Sequence, residues 1–266
     1  MGLLSSLTSH IQEPDSGVPA DFFTFQTCFA SLSLHMTDRI RFIGFSPEAL
    51  ATVRQVVQQT WQPGIQNERP YGGSHEIKLY GNPWRGIMGE AISSRRLMRN
   101  ILAALYSQGW ILTISTDISK KVTDKDTLIF RHQTPSPPPC EWISIAFSNA
   151  DLIRFISAPR ELVDDVAKDL GPILSRPTPL QHSEGVLELK LSGSPWYAEG
   201  RATMSARQAI LQLVMTLERH GFSVYASIDQ KETGRHGHES TGSSETDTWH
   251  LCRTVGWQPG LPIFHR

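Results

Sequence analysis

Apolar residues recur along the chain at two spacings, and each spacing predicts one kind of secondary structure. In residues 89–107 they recur every three to four positions, which places them on one face of an amphipathic helix. Residues 202–219 show the same spacing. In short segments such as 75–80, apolar and polar residues alternate, as in a β-strand with one buried face. The hydrophobic pattern therefore predicts both helices and strands.

This succession of elements occurs twice. The segment EIKLYGNPW at residues 76–84 returns as ELKLSGSPW at residues 188–196. Each copy is predicted as β-β-α-β-α-β-β over about 110 residues, and such a period indicates a duplicated domain, because solenoid repeats have periods of ~20–50 residues. We expect an α+β fold of two tandem homologous repeats in a pseudo-two-fold arrangement. Each repeat would be a mixed sheet with its amphipathic helices packed on one face.

The predicted boundaries follow from the repeat and from the polar and proline-rich segments around it. The Gly-rich residues 64–74 are predicted as a loop. Residues 230–247, rich in Gly, Ser, His and Glu, are expected to be disordered. The expected organisation is a flexible N-terminal tail at 1–20, a first repeat at 21–133, a Pro-rich linker at 134–139, a second repeat at 140–255 and a C-terminal tail at 256–266.

The net charge of −1 hides a difference between the repeats. Residues 21–133 contain 13 Lys and Arg against 9 Asp and Glu, a net charge of +4. Residues 140–255 contain 11 against 15, a net charge of −4. Opposite charges favour docking of the repeats on each other, or steer different partners to each repeat. Neither repeat is basic enough to indicate a nucleic-acid-binding protein.

The composition, 39% hydrophobic and 19% charged, is typical of a globular protein. No apolar run reaches the ~18–20 residues of a membrane span, and the first residues lack the basic segment of a signal peptide. Three widely spaced cysteines, Cys28, Cys140 and Cys252, indicate a reducing compartment rather than a disulfide framework. We therefore expect a cytoplasmic or other reducing intracellular location.

The sequence contains none of the common catalytic signatures: no P-loop, GxGxxG, GxSxG or HExxH motif is present. We expect a non-enzymatic protein without a cofactor. Polar and aromatic positions that both repeats share are candidates for a ligand site, with structural ion pairs, turn caps and core packing as alternative roles. The candidates are Arg95, Asp117 and Trp84 in the first repeat and Arg207, Asp229 and Trp196 in the second.

Two short patterns suggest metal binding and lipidation. His236, His238, His250 and Cys252 form two ligand pairs of a type that zinc uses. The first pair lies in the segment expected to be disordered, where no neighbouring groups would hold the ligands in place, so we expect no metal. Gly2 fits the N-myristoylation pattern, and the basic first repeat would supply the second signal that one acyl chain requires.

These features favour a protein-interaction or adaptor module built from a duplicated α+β domain. An enzyme or small-molecule binder with a pocket between the two repeats is the alternative. A second alternative is a peripheral membrane protein anchored through Gly2 and a basic patch. We expect protein partners and no nucleic acid, and the sequence does not indicate an oligomeric state.

Overall fold

The computed structural model describes residues 27–85, 90–118, 124–229 and 247–263. The first repeat contains β1 (Phe29–His35), β2 (Arg39–Ile43), α1 (Pro47–Thr60), β3 (Ile65–Tyr71), β4 (Ser74–Leu79), α2 (Glu90–Ser107), β5 (Trp110–Thr116) and β6 (Asp124–His132). The second repeat contains β7 (Cys140–Ser148), β8 (Leu152–Ile156), α3 (Arg160–Asp169), β9 (Leu180–Ser183), β10 (Val186–Lys190), α4 (Ala202–Arg219), β11 (Ser223–Ile228) and β12 (Thr248–Thr254).

Each repeat forms one six-stranded sheet, and the two sheets have the same strand order. The order is β3-β4-β2-β1-β6-β5 in the first sheet and β9-β10-β8-β7-β12-β11 in the second. The α+β class and the duplication are therefore confirmed. Each strand pair is antiparallel, so the sheets are not mixed as predicted. The cause is an additional strand after the first helix of each repeat, which reverses the chain before β4 and β10 pair.

The additional strand of the first repeat lies in residues 64–74, which the sequence predicted as a loop. Here β3 pairs with β4 through a tight turn at Gly72 and Gly73, whose φ angles of +55° and +81° suit glycine. The strand lies at the edge of the sheet and is mostly exposed. It therefore lacks the alternation of apolar residues by which strands are predicted.

The helices begin and end close to where the sequence placed them. Ser46 caps α1 by accepting a hydrogen bond from the backbone N of Ala49 at 3.2 Å, and Pro47 occupies the first turn. Both long helices, α2 and α4, coincide with the segments in which apolar residues recur at helical spacing.

Both helices of each repeat pack on one face of their own sheet, here called the inner face; the opposite face is the outer face. In the first repeat, Leu32 and Phe130 of the sheet pack with Leu97 of α2 in a continuous core. In the second repeat, Ile145 and Leu213 belong to the equivalent core. Each repeat thus has a core between its own sheet and its own helices.

The side of α2 that points away from its own sheet is covered as well, because this helix lies between the two sheets. Ala226 and Ile228, on the outer face of the second sheet, join the core of the first repeat. The contact is not reciprocal: α4 leaves the first sheet uncovered, and its Leu211 and Met215 are 64% and 63% exposed. The repeats therefore stack head to tail, a departure from the expected pseudo-two-fold arrangement. The layers follow in the order first sheet, α1 and α2, second sheet, α3 and α4.

Candidate functional site

The outer face of the second sheet has the small residues that close docking of a helix requires. On β7, the strand that α2 approaches, the outward residues are Ser144, Ala146 and Ser148, and all three are buried. Ile156 on the neighbouring β8 is also fully buried. Side chains of this size allow a helix to approach the strand closely.

Arginines of α2 hold the helix on this face. Arg95 Nε donates a hydrogen bond to Oγ1 of Thr248 in β12 at 3.1 Å. Arg96 Nη2 donates to the carbonyl oxygen of Glu184, in the turn before β10, at 2.5 Å. These two contacts lie towards opposite sides of the second sheet, so the helix crosses several of its strands.

Three aromatic rings close the contact at the C-terminal end of α2. Tyr106 packs edge to face against Trp142 and Tyr225, with ring centroids 5.4 and 5.5 Å apart. The hydroxyl of Tyr225 accepts a hydrogen bond from the backbone N of Leu112 in β5 at 2.7 Å. Burial raises the pKa of Tyr225, so its hydroxyl remains protonated.

A buried histidine lies under these arginines. Burial lowers the pKa of His250 to about 3, and the positive charges of Arg99 and Arg95 contribute in the same direction. Its Nδ1 lies 2.9 Å from Oγ of Ser144. Burial, with the charge of Arg96, also lowers the pKa of Arg99 to about 10. The imidazole is therefore neutral at neutral pH and adds no positive charge to those of Arg95, Arg96 and Arg99.

The edges of the two sheets also meet, at β5 and β11. The backbone N of Asp229 donates a hydrogen bond to Oδ2 of Asp126 at 2.8 Å. Burial raises the pKa of Asp126; the hydrogen bond from Asp229 opposes this rise, and the nearby charges of Asp247, Asp229 and Asp117 add to it. The structure therefore brings the candidates Asp117 and Asp229 to the same edge.

The candidate tryptophans have one role in both repeats. The indole nitrogen of Trp84 donates to the carbonyl oxygen of Arg39 at 3.0 Å, and that of Trp196 donates to the carbonyl oxygen of Leu152 at 3.2 Å. Trp84 is fully buried, whereas Trp196 remains partly exposed. Each ring ties the turn before the long helix to the start of a central strand.

The candidate arginines have different surroundings, although they occupy equivalent helix positions. Arg95 is buried between the repeats. Arg207 is exposed, donates from Nη1 to the carbonyl oxygen of Thr203 at 3.2 Å and lines a groove within the second repeat. The four charged candidates Arg95, Arg207, Asp117 and Asp229 therefore do not line one common pocket.

This groove, of about 740 Å³, opens beside α4 where the first repeat has a closed core. Its walls include Phe147, which packs edge to face on Trp196 and Trp249 with centroids 5.1 and 4.9 Å apart. On the helix side the groove is lined by Thr203, Ala206, Arg207, Ile210 and Leu211 of α4.

The described residues contain no group of three or more His, Cys, Asp and Glu side chains arranged to hold a metal ion. His250 is part of the contact between the repeats. Cys252 lies beside Cys140, and their mutual hydrogen bond lowers the pKa of Cys140 and raises that of Cys252. The other residues of the metal and lipidation patterns, His236, His238 and Gly2, lie outside the described ranges.

The outer face of the first sheet has the same register as its counterpart, but none of the helices among the described residues packs on it. Ile43 pairs with Ser31 on the central strand, as Ile156 pairs with Ser144 in the second sheet. Ile156 is fully buried, whereas Ile43 is 53% exposed. One position is therefore covered in the second repeat and bare in the first.

An arginine–glutamate pair occupies the same register position on both outer faces. Arg41 Nε donates to Glu76 at 2.8 Å, and Arg154 Nε donates to Glu188 at 2.5 Å. In each case the two residues are direct partners on paired strands. Sequence reasoning missed this pair, although Arg41 and Arg154 recur in the repeat, because only the strand register shows that each faces a glutamate.

The first repeat adds two further arginines around its glutamate. Arg39 Nη1 and Arg69 Nε lie 3.3 and 2.9 Å from Glu76 Oε1. Burial raises the pKa of Glu76, but hydrogen bonds from Arg41 and Arg69 outweigh this, and the pKa lies below its usual value. The guanidinium of Arg41 also lies 4.0 Å above the ring of the exposed Tyr71. The bare outer face is therefore basic around one buried carboxylate.

One domain-family model matches the chain twice, over residues 28–131 and 141–252. The two matches cover more than half of the chain and coincide with the two sheets. The chain therefore belongs to this domain family and carries its domain as a tandem pair. No curated protein and no solved structure matches the chain. None of the helices within the described ranges is long and apolar enough to cross a membrane.

Proposed function

We propose that the protein is a non-enzymatic interaction module, in which the outer face of the first sheet binds an amphipathic helix of a protein partner. The observation that carries this proposal is the contrast between Ile156, fully buried, and Ile43, 53% exposed, at one register position. Because the equivalent position is covered by α2 in the second repeat, the exposure of Ile43 at the end of β2 marks the face at which a partner would bind.

The strand beneath the proposed partner supports a helix as its ligand. Ser31 and Ser33 on β1 correspond to Ser144 and Ala146 on β7, over which α2 lies. Small residues are therefore present at the same two positions on both outer faces. Because the helix-binding face of the second sheet uses these positions for close approach, the first sheet offers the same access.

The alternative of an enzyme with a pocket between the repeats receives less support. The charged candidates are divided between a buried contact, a sheet edge and a groove inside the second repeat. The helix α2 lies between the repeats, and the cavity of about 130 Å³ that Tyr106 and Cys252 line there is smaller than the ~300–1,000 Å³ of typical ligand pockets. Membrane attachment through Gly2 stays a prediction, because that residue lies outside the described ranges. A reducing intracellular location is part of the proposal, and the free Cys140 and Cys252 side by side are consistent with it.

A selection of amphipathic helical peptides on the immobilised full-length protein tests the proposed surface. We expect the selected peptides to bind as helices and to lose at least ~tenfold in affinity for the variant Ser33→Arg, since a long side chain there prevents close approach. Gln59→Arg, an exposed position on α1, is the matched control and should bind like the wild type. The proposal is wrong if no selected peptide distinguishes these two variants.

A further inference from the structure

The contact between the repeats is heterologous: it joins one surface, the outer side of α2, to a different surface, the outer face of the second sheet. Because the repeats are homologous, each surface has a second copy elsewhere in the molecule. The counterpart of the outer side of α2 is the outer side of α4, and the counterpart of the sheet face is the outer face of the first sheet. Within the part of the chain that the structure describes, neither counterpart is covered by another element.

The uncovered side of α4 carries an apolar stripe. Met204, Leu211 and Met215 are 54%, 64% and 63% exposed, at a spacing that places them along one side of the helix. Leu211 and Met215 occupy the positions of Arg99 and Ala103 on α2. An exposed stripe of this kind favours association with another surface.

Resting on the proposed function, we propose that the helix received by the first sheet is α4 of a second copy of this chain. The docking would repeat, between molecules, the contact that joins the two repeats within one molecule. Three pairs of residues test whether the two uncovered surfaces match each other in detail.

The first pair keeps a hydrogen bond. Thr127 holds on β6 the register position that Thr248 holds on β12. Arg207 holds on α4 the position that Arg95 holds on α2. The bond from Arg95 to Thr248 within the chain is therefore matched by a donor, Arg207, and an acceptor, Thr127, between chains.

In the second pair, both residues are polar in the contact within the chain, and both of their counterparts on the uncovered surfaces are apolar. Within the chain, Arg99 lies near enough to His250 for its positive charge to act on the imidazole. At the corresponding register position of the first sheet, Ile129 replaces His250, and on α4 Leu211 replaces Arg99. Between two copies a leucine would thus face an isoleucine, and this pair buries no polar group.

In the third pair, two residues without formal charge within the chain correspond to two residues of opposite charge on the uncovered surfaces. Within the chain, Tyr106 and Cys252 line one small cavity. The corresponding residues are Glu218 on α4 and Arg131 on β6. This ion pair agrees with the net charges of −4 on the second repeat and +4 on the first, which also favour a head-to-tail approach of two copies.

Such an association is open-ended, because each added copy presents the same two surfaces again. A substitution that blocks one surface should therefore stop the addition of further copies, while the other surface can still bind. Leu211→Glu blocks the helix side, and Ser33→Arg blocks the sheet side. Val255→Glu, at an exposed apolar position outside both surfaces, is the control. Circular dichroism verifies that each variant is folded.

Size-exclusion chromatography with light scattering, over a series of protein concentrations, measures the association. We expect the mass of the wild type and of Val255→Glu to increase with concentration. Leu211→Glu and Ser33→Arg should each remain monomeric, with association weakened by at least ~tenfold. An equimolar mixture of these two variants should form a dimer with one copy of each, because each retains the surface that the other has lost.

Self-association is overturned if the wild type stays monomeric at every concentration, if Leu211→Glu associates like the wild type, or if the mixture forms no dimer. If selected helical peptides then still bind in a manner sensitive to Ser33→Arg, only the identity of the partner is wrong and the proposed function stands. If neither peptides nor a second copy bind the first sheet, both proposals fail.

Discussion

Arg95 of α2 donates a hydrogen bond from Nε to Oγ1 of Thr248 at 3.1 Å, which ties the long helix of the first repeat to the last strand of the second. Both side chains are almost completely buried. Their counterparts, Arg207 and Thr127, lie on the two uncovered surfaces of the chain. The bond therefore stabilises the tandem pair and also identifies the surfaces at which a further partner would bind.

Replacing Arg95 by methionine should destabilise the protein, because Thr248 then loses its partner in a buried environment while the aliphatic packing is largely retained. The expected loss in the free energy of unfolding is about 1–3 kcal/mol. Urea unfolding followed by circular dichroism measures it. Arg207→Met is the matched control and should change stability by less than about 0.5 kcal/mol, because that arginine is exposed. Equal effects of the two substitutions would contradict the assigned contact.

Shortening Leu97 should be costly, since its side chain is fully buried in the core of the first repeat. We expect Leu97→Ala to reduce the free energy of unfolding by about 2–5 kcal/mol, as for other fully buried leucines. Leu211→Ala, on an exposed position of α4, should stay within about 0.5 kcal/mol of the wild type. A small effect at Leu97 would show that the core of the first repeat is not closed as described.

Removing the charge of Glu76 should leave Arg39, Arg41 and Arg69 facing one another without a carboxylate. Since these arginines are partly exposed, we expect Glu76→Gln to cost about 1–3 kcal/mol rather than the full cost of a buried charge. The control Glu68→Gln breaks a more exposed pair and should cost at most about 1 kcal/mol. Thermal unfolding of both variants tests the order of the two effects.

Stability should depend on pH through His250. Burial, assisted by the charges of Arg99 and Arg95, lowers its pKa to about 3 from 6.5. Between these values the unfolded chain binds the proton and the folded protein does not. The contribution of this residue is therefore complete above pH 6.5 and declines as the pH falls towards 3, with a slope of at most about 1.4 kcal/mol per pH unit.

Urea unfolding at a series of pH values tests this dependence. Carboxylates with lowered pKa values, such as Glu76, act only below about pH 4.5. Asp126, whose pKa is raised, and the other histidines are common to the wild type and to a His250 variant, so the difference between the two proteins from pH 4.5 to 6.5 isolates His250. His250→Asn places an amide near the position of Nδ1 and cannot gain this charge, so its stability should fall less steeply than that of the wild type over that interval. An unchanged slope in the variant would assign the effect to another group.

The sequence predicted the helices well because their signals are local. The spacing of apolar residues places α2 and α4 at their observed positions. It did not predict β3 and β9, because an exposed edge strand needs no apolar face. These two strands change the sheets from mixed to antiparallel.

The candidate site illustrates the same limit. Trp84, Trp196, Arg95 and Arg207 were singled out because they recur in the two repeats, and recurrence does not distinguish buried from exposed positions. Arg95 is buried beside Thr248, which lies 153 residues further along the chain, while Arg207 stays exposed. No local pattern records that difference.

The sequence alone therefore determines that the protein is a tandem pair of α+β domains with opposite charges, because duplication, helical spacing and charge are all properties of residue order. The tertiary structure decides which surface of each repeat is used. Ile43 and Ile156 belong to equivalent strands, yet only Ile156 is covered, because the repeats stack head to tail and the outer face of the first sheet is left bare. Burial depends on what packs on a residue from elsewhere in the chain, which its own neighbours in sequence do not specify.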